Sequence, residues 1–155
     1  MRLCVVAGSF HPEVGGPSSY LYRLIPALIE RGHNVTVVTH TGASRSGRDS
    51  SFSYPVYRVS RFWPVLLRLL LFTWRVLWEA RAADLLFVSD YGVPAAVANF
   101  LLRKPIVLKN VSDFAWEFSI RHGWLPPEQT IDEFQWRRHG WRVRMLQRLR
   151  TWDLR

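Results

Sequence analysis

The loop Phe10-His11-Pro12-Glu13-Val14-Gly15-Gly16-Pro17 holds the residue types best suited to chemistry in this 155-residue chain. It lies between an apolar run, Leu3-Cys4-Val5-Val6-Ala7, and a helical pattern from Tyr20 to Arg31. Backbone N–H groups at a helix start lack intrahelical partners, and with the helix dipole they hold anions. Gly15 and Gly16 let backbone approach a ligand closely, and they permit conformations closed to other residues. The N–H groups of Gly16, Ser18 and Ser19 are then the donors to phosphate oxygens. Asp90 and Tyr91 follow another apolar run, Asp84 to Val88, at the edge where open α/β sheets take ligands. One cysteine and five scattered histidines give no metal-ligand spacing, so no metal is expected. No G-x-G-x-x-G follows the first strand, and neither a G-x-x-x-x-G-K-[ST] phosphate loop nor a G-x-S-x-G nucleophile elbow is present.

Positioning these residues requires a strand before the loop and a helix after it. Residues 2–8 read as a buried parallel strand. Pro17 suits the first helical position, Pro26 should kink the helix, and Gly32 suits its C-terminal cap. Val35 to Thr39 is a second strand. Thr41 to Ser53, rich in Gly and Ser, reads as a mobile surface loop, followed by a short strand at Val56 to Val59. Pro64 opens a strongly apolar helix, about Val65 to Arg81, whose polar residues Arg68, Arg75 and Glu79 share one narrow stripe. It reads as a core helix with one wet stripe, or as a helix that also rests on a membrane surface. A helix over Ala95 to Leu102 and a strand over Pro105 to Leu108 follow. The alternation predicts a mostly parallel sheet with helices on both faces.

Asn110 to Trp124 reads as a loop region. Thr130-Ile131-Asp132-Glu133 is a capping-box pattern. The helix after it is expected to carry Phe134, Trp141, Met145, Leu149 and Trp152 on one side. No strand follows, although a half-sheet of this kind normally continues.

Composition narrows the classes. An apolar fraction of 48% and eight tryptophans fit one ordinary folded domain and exclude disorder. Cys4 alone cannot build a disulfide framework and is expected to be a buried, inert thiol. The N-terminal run is shorter than the roughly 7–15 apolar residues of a signal core, and no stretch reaches the ~18 of a membrane span. The expected location is cytoplasmic. The net charge of +9 is nearly all arginine, with 13 basic against 8 acidic residues in 1–120 and 8 against 4 in 121–155. Such a field suits an anionic partner. The arginines of 137–150 spread around their helix and no nucleic-acid motif appears, so no nucleic-acid partner is expected.

The loop Phe10 to Gly16, together with Leu24-Ile25-Pro26-Ala27-Leu28-Ile29-Glu30-Arg31-Gly32-His33-Asn34-Val35-Thr36-Val37-Val38-Thr39, resembles the amino-terminal domain of family 4 glycosyltransferases. In that family an F-x-P-x-x-G-G loop follows the first strand, and an R-G-H-x-V-x-V-x-T stretch leads into the second. The match is specific over residues 3–40, weaker over 84–120 and poor over 41–83. It implies a Rossmann-like α/β domain, the amino-terminal, acceptor-side half of the GT-B fold, over 1–155 and incomplete at its C-terminus. The donor-binding domain has no counterpart here, so a truncated glycosyltransferase or a fragment of a two-domain one is expected, the donor domain of a natural half-enzyme then standing on a separate chain.

The implied activity is retaining transfer from a nucleotide sugar to a glycan or lipid-linked acceptor, without a metal. The resemblance assigns Gly15 and Gly16 to the donor diphosphate, the helix start adds Ser18, and the carboxyl edge of the sheet makes Asp90 and Tyr91 acceptor-site candidates. After the fifth strand the family often carries a histidine near the reacting sugar. Here Lys109-Asn110-Val111-Ser112-Asp113 stands there with no histidine, leaving Asp113 and Asn110 as the polar candidates. The apolar helix 65–81 and the basic C-terminal helix favour an anionic membrane surface as a further partner, at its inner face. The competing expectation is a non-catalytic acceptor-binding or membrane-docking module. The 155 residues alone are expected to be inactive, because the cleft needs both walls.

Overall fold

A computed structural model describes residues 1–44, 46–109 and 113–153, with the backbone alone at Phe114 and 149–153. Asn110, expected at the reacting sugar, lies outside the described residues, as do the side chains of Leu149, Arg150 and Trp152. The chain divides into two compact units, 1–109 and 110–155, where the sequence reads as one domain.

The first unit is a six-stranded sheet: β1 (Arg2–Val6), β2 (Asn34–Thr41), β3 (Gly47–Asp49), β4 (Val56–Ser60), β5 (Leu85–Val88) and β6 (Ile106–Leu108). The strand order is β3-β4-β2-β1-β5-β6. All neighbours run parallel except β3, which pairs antiparallel with β4. Helices α1 (Gly16–Glu30), α2 (Val65–Ala80) and α3 (Gly92–Leu102) cover it. Strand alternation sorts the core into two layers. Leu3, Val5 and Ala7 of the β1 segment, with Val35 and Val37, pack with Leu21 and Ile25 of α1. Cys4 and Val6, with Val38, Leu86 and Val88, pack with Phe72 and Val76 of α2 and Ala95 and Ala98 of α3. The sheet is thus α/β and Rossmann-like, with helices on both faces. Each fully buried aliphatic or aromatic side chain adds about 1.5–3 kcal/mol. Burial pushes the Cys4 thiol up to about 12, with Glu79 adding to the rise, which makes it an inert core residue.

Helix α1 runs through Pro26 and ends in a Schellman closure: Gly32, at φ 81°, donates to Ile29, and the His33 N–H donates to Leu28. Strand β3 lies inside the stretch read as a mobile loop. Its Gly-Arg-Asp sequence buries no apolar face, and an edge strand pairs through backbone alone, so no hydrophobic pattern announces it. Helix α2 is not a core helix throughout: it buries only Phe72, Val76 and Ala80, while most of its remaining apolar surface is exposed.

The second unit packs α4 (Phe114–Arg121), α5 (Ile131–Trp136) and α6 (Trp141–Asp153) around Ala115, Leu125, Phe134, Val143 and Leu146. The expected loop 110–124 contains α4. The Thr130 hydroxyl accepts the Glu133 N–H at 3.3 Å, which starts α5 as the capping pattern predicts. The single long helix expected next is broken after Trp136, where Arg137 turns extended. The break shifts the register, so Val143 and Leu146 are buried while Trp141 and Met145 are exposed.

Candidate functional site

The parallel strands of the first unit deliver their polar residues to one edge. β1 runs into Ala7-Gly8-Ser9, β2 ends at His40-Thr41, β4 leads into Arg61, and β5 leads into Ser89-Asp90-Tyr91. From β1 the chain winds out to β2 and β4, then returns through α2 to β5 and β6 on the other side. The reversal falls between β1 and β5, and the crevice at such a reversal is the usual ligand position in open α/β sheets. There Asp90 Oδ1 accepts the Gly8 N–H at 2.7 Å. Desolvation raises the Asp90 pKa above the ordinary carboxylate value although the residue keeps an exposed side. The Gly8 N–H, Ser9 and Arg61 oppose the rise, and Glu13 adds to it.

The loop from Gly8 to Gly15 is held from within. Phe10 is fully buried and anchors it in the α1 layer. Arg61 binds it twice: one guanidinium nitrogen lies 2.7 Å from the Gly8 carbonyl and 2.9 Å from the Glu13 carboxylate. Arg58 donates to the His11 carbonyl. Ser18 is buried, and its hydroxyl donates to the Glu13 carbonyl at 2.6 Å. Ser18 therefore offers a ligand its backbone N–H only. The Ser19 N–H is also engaged, donating to the Gly15 carbonyl at 2.9 Å.

Gly15 has φ 167°, an extended backbone that any residue adopts, and Gly16 is not at positive φ. The loop therefore does not use the conformations that glycine alone permits. A Cβ on either residue would touch nothing within 4 Å. The two glycines leave open space over the first turn of α1 that none of the described residues fills. Lys109 adds a cation nearby, its ammonium 3.0 Å from the ring centre of Tyr20, one turn along α1.

His40 lies beneath the edge, 4% exposed. Its Nδ1 is 3.1 Å from the Val59 carbonyl, which can only accept, so Nδ1 carries the proton. Nε2 then points a lone pair into the interior with no hydrogen-bond partner among the described residues, and the hydroxyls of Thr39 and Ser89 are likewise buried without one. Desolvation lowers the His40 pKa to about 4 against the bond to Val59, with Arg61 and Arg68 helping. The ring is neutral at physiological pH. It packs on Phe72 at 4.4 Å and on Tyr91 at 4.9 Å.

A sequence profile described as Glycosyltransferase Family 4 matches residues 14–154, most of the chain. The chain belongs to glycosyltransferase family 4. It is similar to a subunit of the human phosphatidylinositol N-acetylglucosaminyltransferase, 47% identical over 46 residues, 30% of this chain and 10% of that protein. It is also similar to the Arabidopsis thaliana protein of the same name, 28% identical over 109 residues, 70% of this chain and 21% of that protein. The chain thus spans a small part of the length of these curated relatives.

In this family 4 domain, the sheet edge gathers Gly8, Ser9, Glu13, His40, Arg61, Asp90 and Tyr91. Tyr91 is half-buried, its ring against His40 and Phe72, so it forms the floor of the edge more than its surface. Asp113, in the second unit, is buried as the N-cap of α4 and accepts the Ala115 N–H at 3.0 Å. Any contact with sugar must coexist with that role. Arg61 and His40 are not among the residues the sequence singles out. Both sit at carboxyl ends of strands, the position that marks Asp90, and the same rule carried to β2 and β4 finds them.

Proposed function

We propose that this domain forms the acceptor side of a retaining, nucleotide-sugar-dependent glycosyltransferase, with the donor held by a second domain outside these residues or on another chain. The open first turn of α1 beside the β1–β5 crevice carries this reading. As the bond from the sugar anomeric carbon to the diphosphate breaks, negative charge develops on the leaving phosphate. The N–H groups of Gly16 and Ser18, with Lys109 nearby, are aimed to stabilise it. A new bond then forms between that carbon and an acceptor hydroxyl, whose proton passes to the leaving group. Asp90 and Tyr91 line the acceptor side. Asn110 and Asp113 are assigned to the reacting sugar, Asp113 while capping α4. No metal is assigned a part in the step.

The relatives' shared name supports a phospholipid-linked acceptor, phosphatidylinositol first, and N-acetylglucosamine as the first sugar to test. Such an acceptor brings the domain to the cytoplasmic face of a membrane as a peripheral protein. Among the described residues no helix is long and apolar enough to cross one.

The test is Gly16→Leu in the transferase assembled with its donor domain, assayed with labelled nucleotide sugar and lipid acceptor. A Cβ at this position meets nothing within 4 Å among the described residues, so the substitution is expected to spare folding and fill the ligand space. Turnover should fall about 100-fold, the scale of a lost charge-stabilising donor. Unchanged turnover removes the phosphate role. The exposed apolar face of α2 favours a second reading, a docking module without chemistry; sugar transfer by the assembled protein excludes it.

A further inference from the structure

Helix α2 exposes the side that a water-facing helix makes polar. Leu66, Leu70, Trp74 and Trp78, spaced four residues apart, are 76%, 68%, 62% and 55% exposed. They lie opposite the buried stripe of Phe72, Val76 and Ala80. Helix α3 packs beside α2 and continues the surface with exposed Val97, Phe100 and Leu101. Between the helices, Trp74, Leu77, Trp78 and Leu102 line a cavity of about 140 Å³ with Arg81 at its rim. The Arg81 guanidinium sits 5.3 Å from the Trp78 ring centre.

We infer that this outer face of α2 and α3 is the surface on which the domain seats itself on an anionic phospholipid bilayer. The inference rests on the lipid-linked acceptor reading for its purpose and on these side chains for its geometry.

Charge selects the occupant. No carboxylate occurs from Phe62 to Trp78 or from Gly92 to Lys109. The acid that interrupts the pattern, Glu79, is held by Arg75 at 3.2 Å. The rim instead carries Arg81, Arg103 and Lys104. A second copy facing this surface through a two-fold axis would bring like charges together. An anionic membrane meets them with phosphates and accepts the leucines and phenylalanine among its acyl chains. Exposed Trp63, Trp74 and Trp78 suit the headgroup boundary, where aromatic rings concentrate. The Trp74–Trp78 cavity has room for a short run of methylene groups. The face begins directly after Arg61, so a docked headgroup lies next to the sheet edge.

The test is co-sedimentation of the 155-residue chain with phosphatidylcholine vesicles, plain or with about 30% phosphatidylserine. Binding should require the anionic lipid, blue-shift tryptophan emission, and weaken as salt rises from about 0.05 to 0.5 M. Leu70→Glu and Trp74→Glu, both at exposed sites, should each cut binding more than tenfold. Arg81→Gln should cut it several-fold. Tyr22→Glu, on the opposite helix layer, should leave it unchanged. No binding at low salt, or Leu70→Glu and Trp74→Glu binding like the parent chain, would overturn the inference. So would a stable dimer that Leu70→Glu dissociates without affecting vesicle binding. Sugar transfer enters none of these measurements, so failure here leaves the transferase reading to its own test.

Discussion

Asp90 accepts the N–H of Gly8 at 2.7 Å, joining the ends of β5 and β1 where the winding of the sheet reverses. This bond closes the floor of the crevice. Asn at position 90 keeps an acceptor and Ala does not. Asp90→Ala should therefore lose about 1 kcal/mol of stability in urea unfolding, and Asp90→Asn much less. Equal losses in both variants would show that the carboxylate charge, not the acceptor, holds β1 to β5.

Arg61 ties the glycine loop to β4 through the Gly8 carbonyl and the Glu13 carboxylate. It is a positioning residue for the first turn of α1. Arg61→Ala should speed amide hydrogen exchange across residues 8–16 and reduce transfer by the assembled enzyme about tenfold, mainly in kcat. Its partly exposed ion pair should contribute little to global stability. Unchanged exchange in the loop would refute the tether.

His40 makes acid stability testable. Its folded pKa of about 4 lies below the unfolded value near 6.5, so between these pH values the unfolded state binds more protons. Stability must then fall as pH drops from about 6.5 toward 4. The loss is at most about 3 kcal/mol, and less where solvent screens the ring. His40→Phe should flatten this slope in denaturant titrations across the range. A slope as steep as the parent's would assign the acid sensitivity elsewhere.

Gly32 closes α1 at φ 81°, where a Cβ is strained whatever the space around it. Gly32→Ala should lower stability by about 1 kcal/mol, visible as a shift in thermal midpoint. This glycine belongs to the Arg31-Gly32-His33 stretch that carries the family resemblance, and its reason is helix termination. Gly16, in contrast, is not at positive φ and an added Cβ there meets none of the described residues, so its substitution tests the ligand.

Much of the sheet is legible from residues alone. The β1 segment, β2 and β5 are apolar runs because both of their faces are covered, and Pro64, Gly32 and Thr130 punctuate helices by local backbone chemistry. The loop and the stretch after it announce the family. Strand β3 is hidden because an edge strand pairs by backbone without an apolar face. Helix α4 is hidden because its N-cap, Asp113, has a side chain equally suited to a loop turn or to chemistry.

The sequence by itself determined the alternation of strands and helices and the family, because these rest on patterns within a few residues of one another. Tertiary structure alone decided which polar groups meet. Gly8 and Asp90, 82 positions apart, touch because β1 and β5 pair in register. Arg61 reaches back 48 residues to Glu13. It also decided which face of α2 is core. All but a narrow sector of that helix is apolar, so only the sheet beneath it could choose Phe72 over Trp74, leaving the other face exposed.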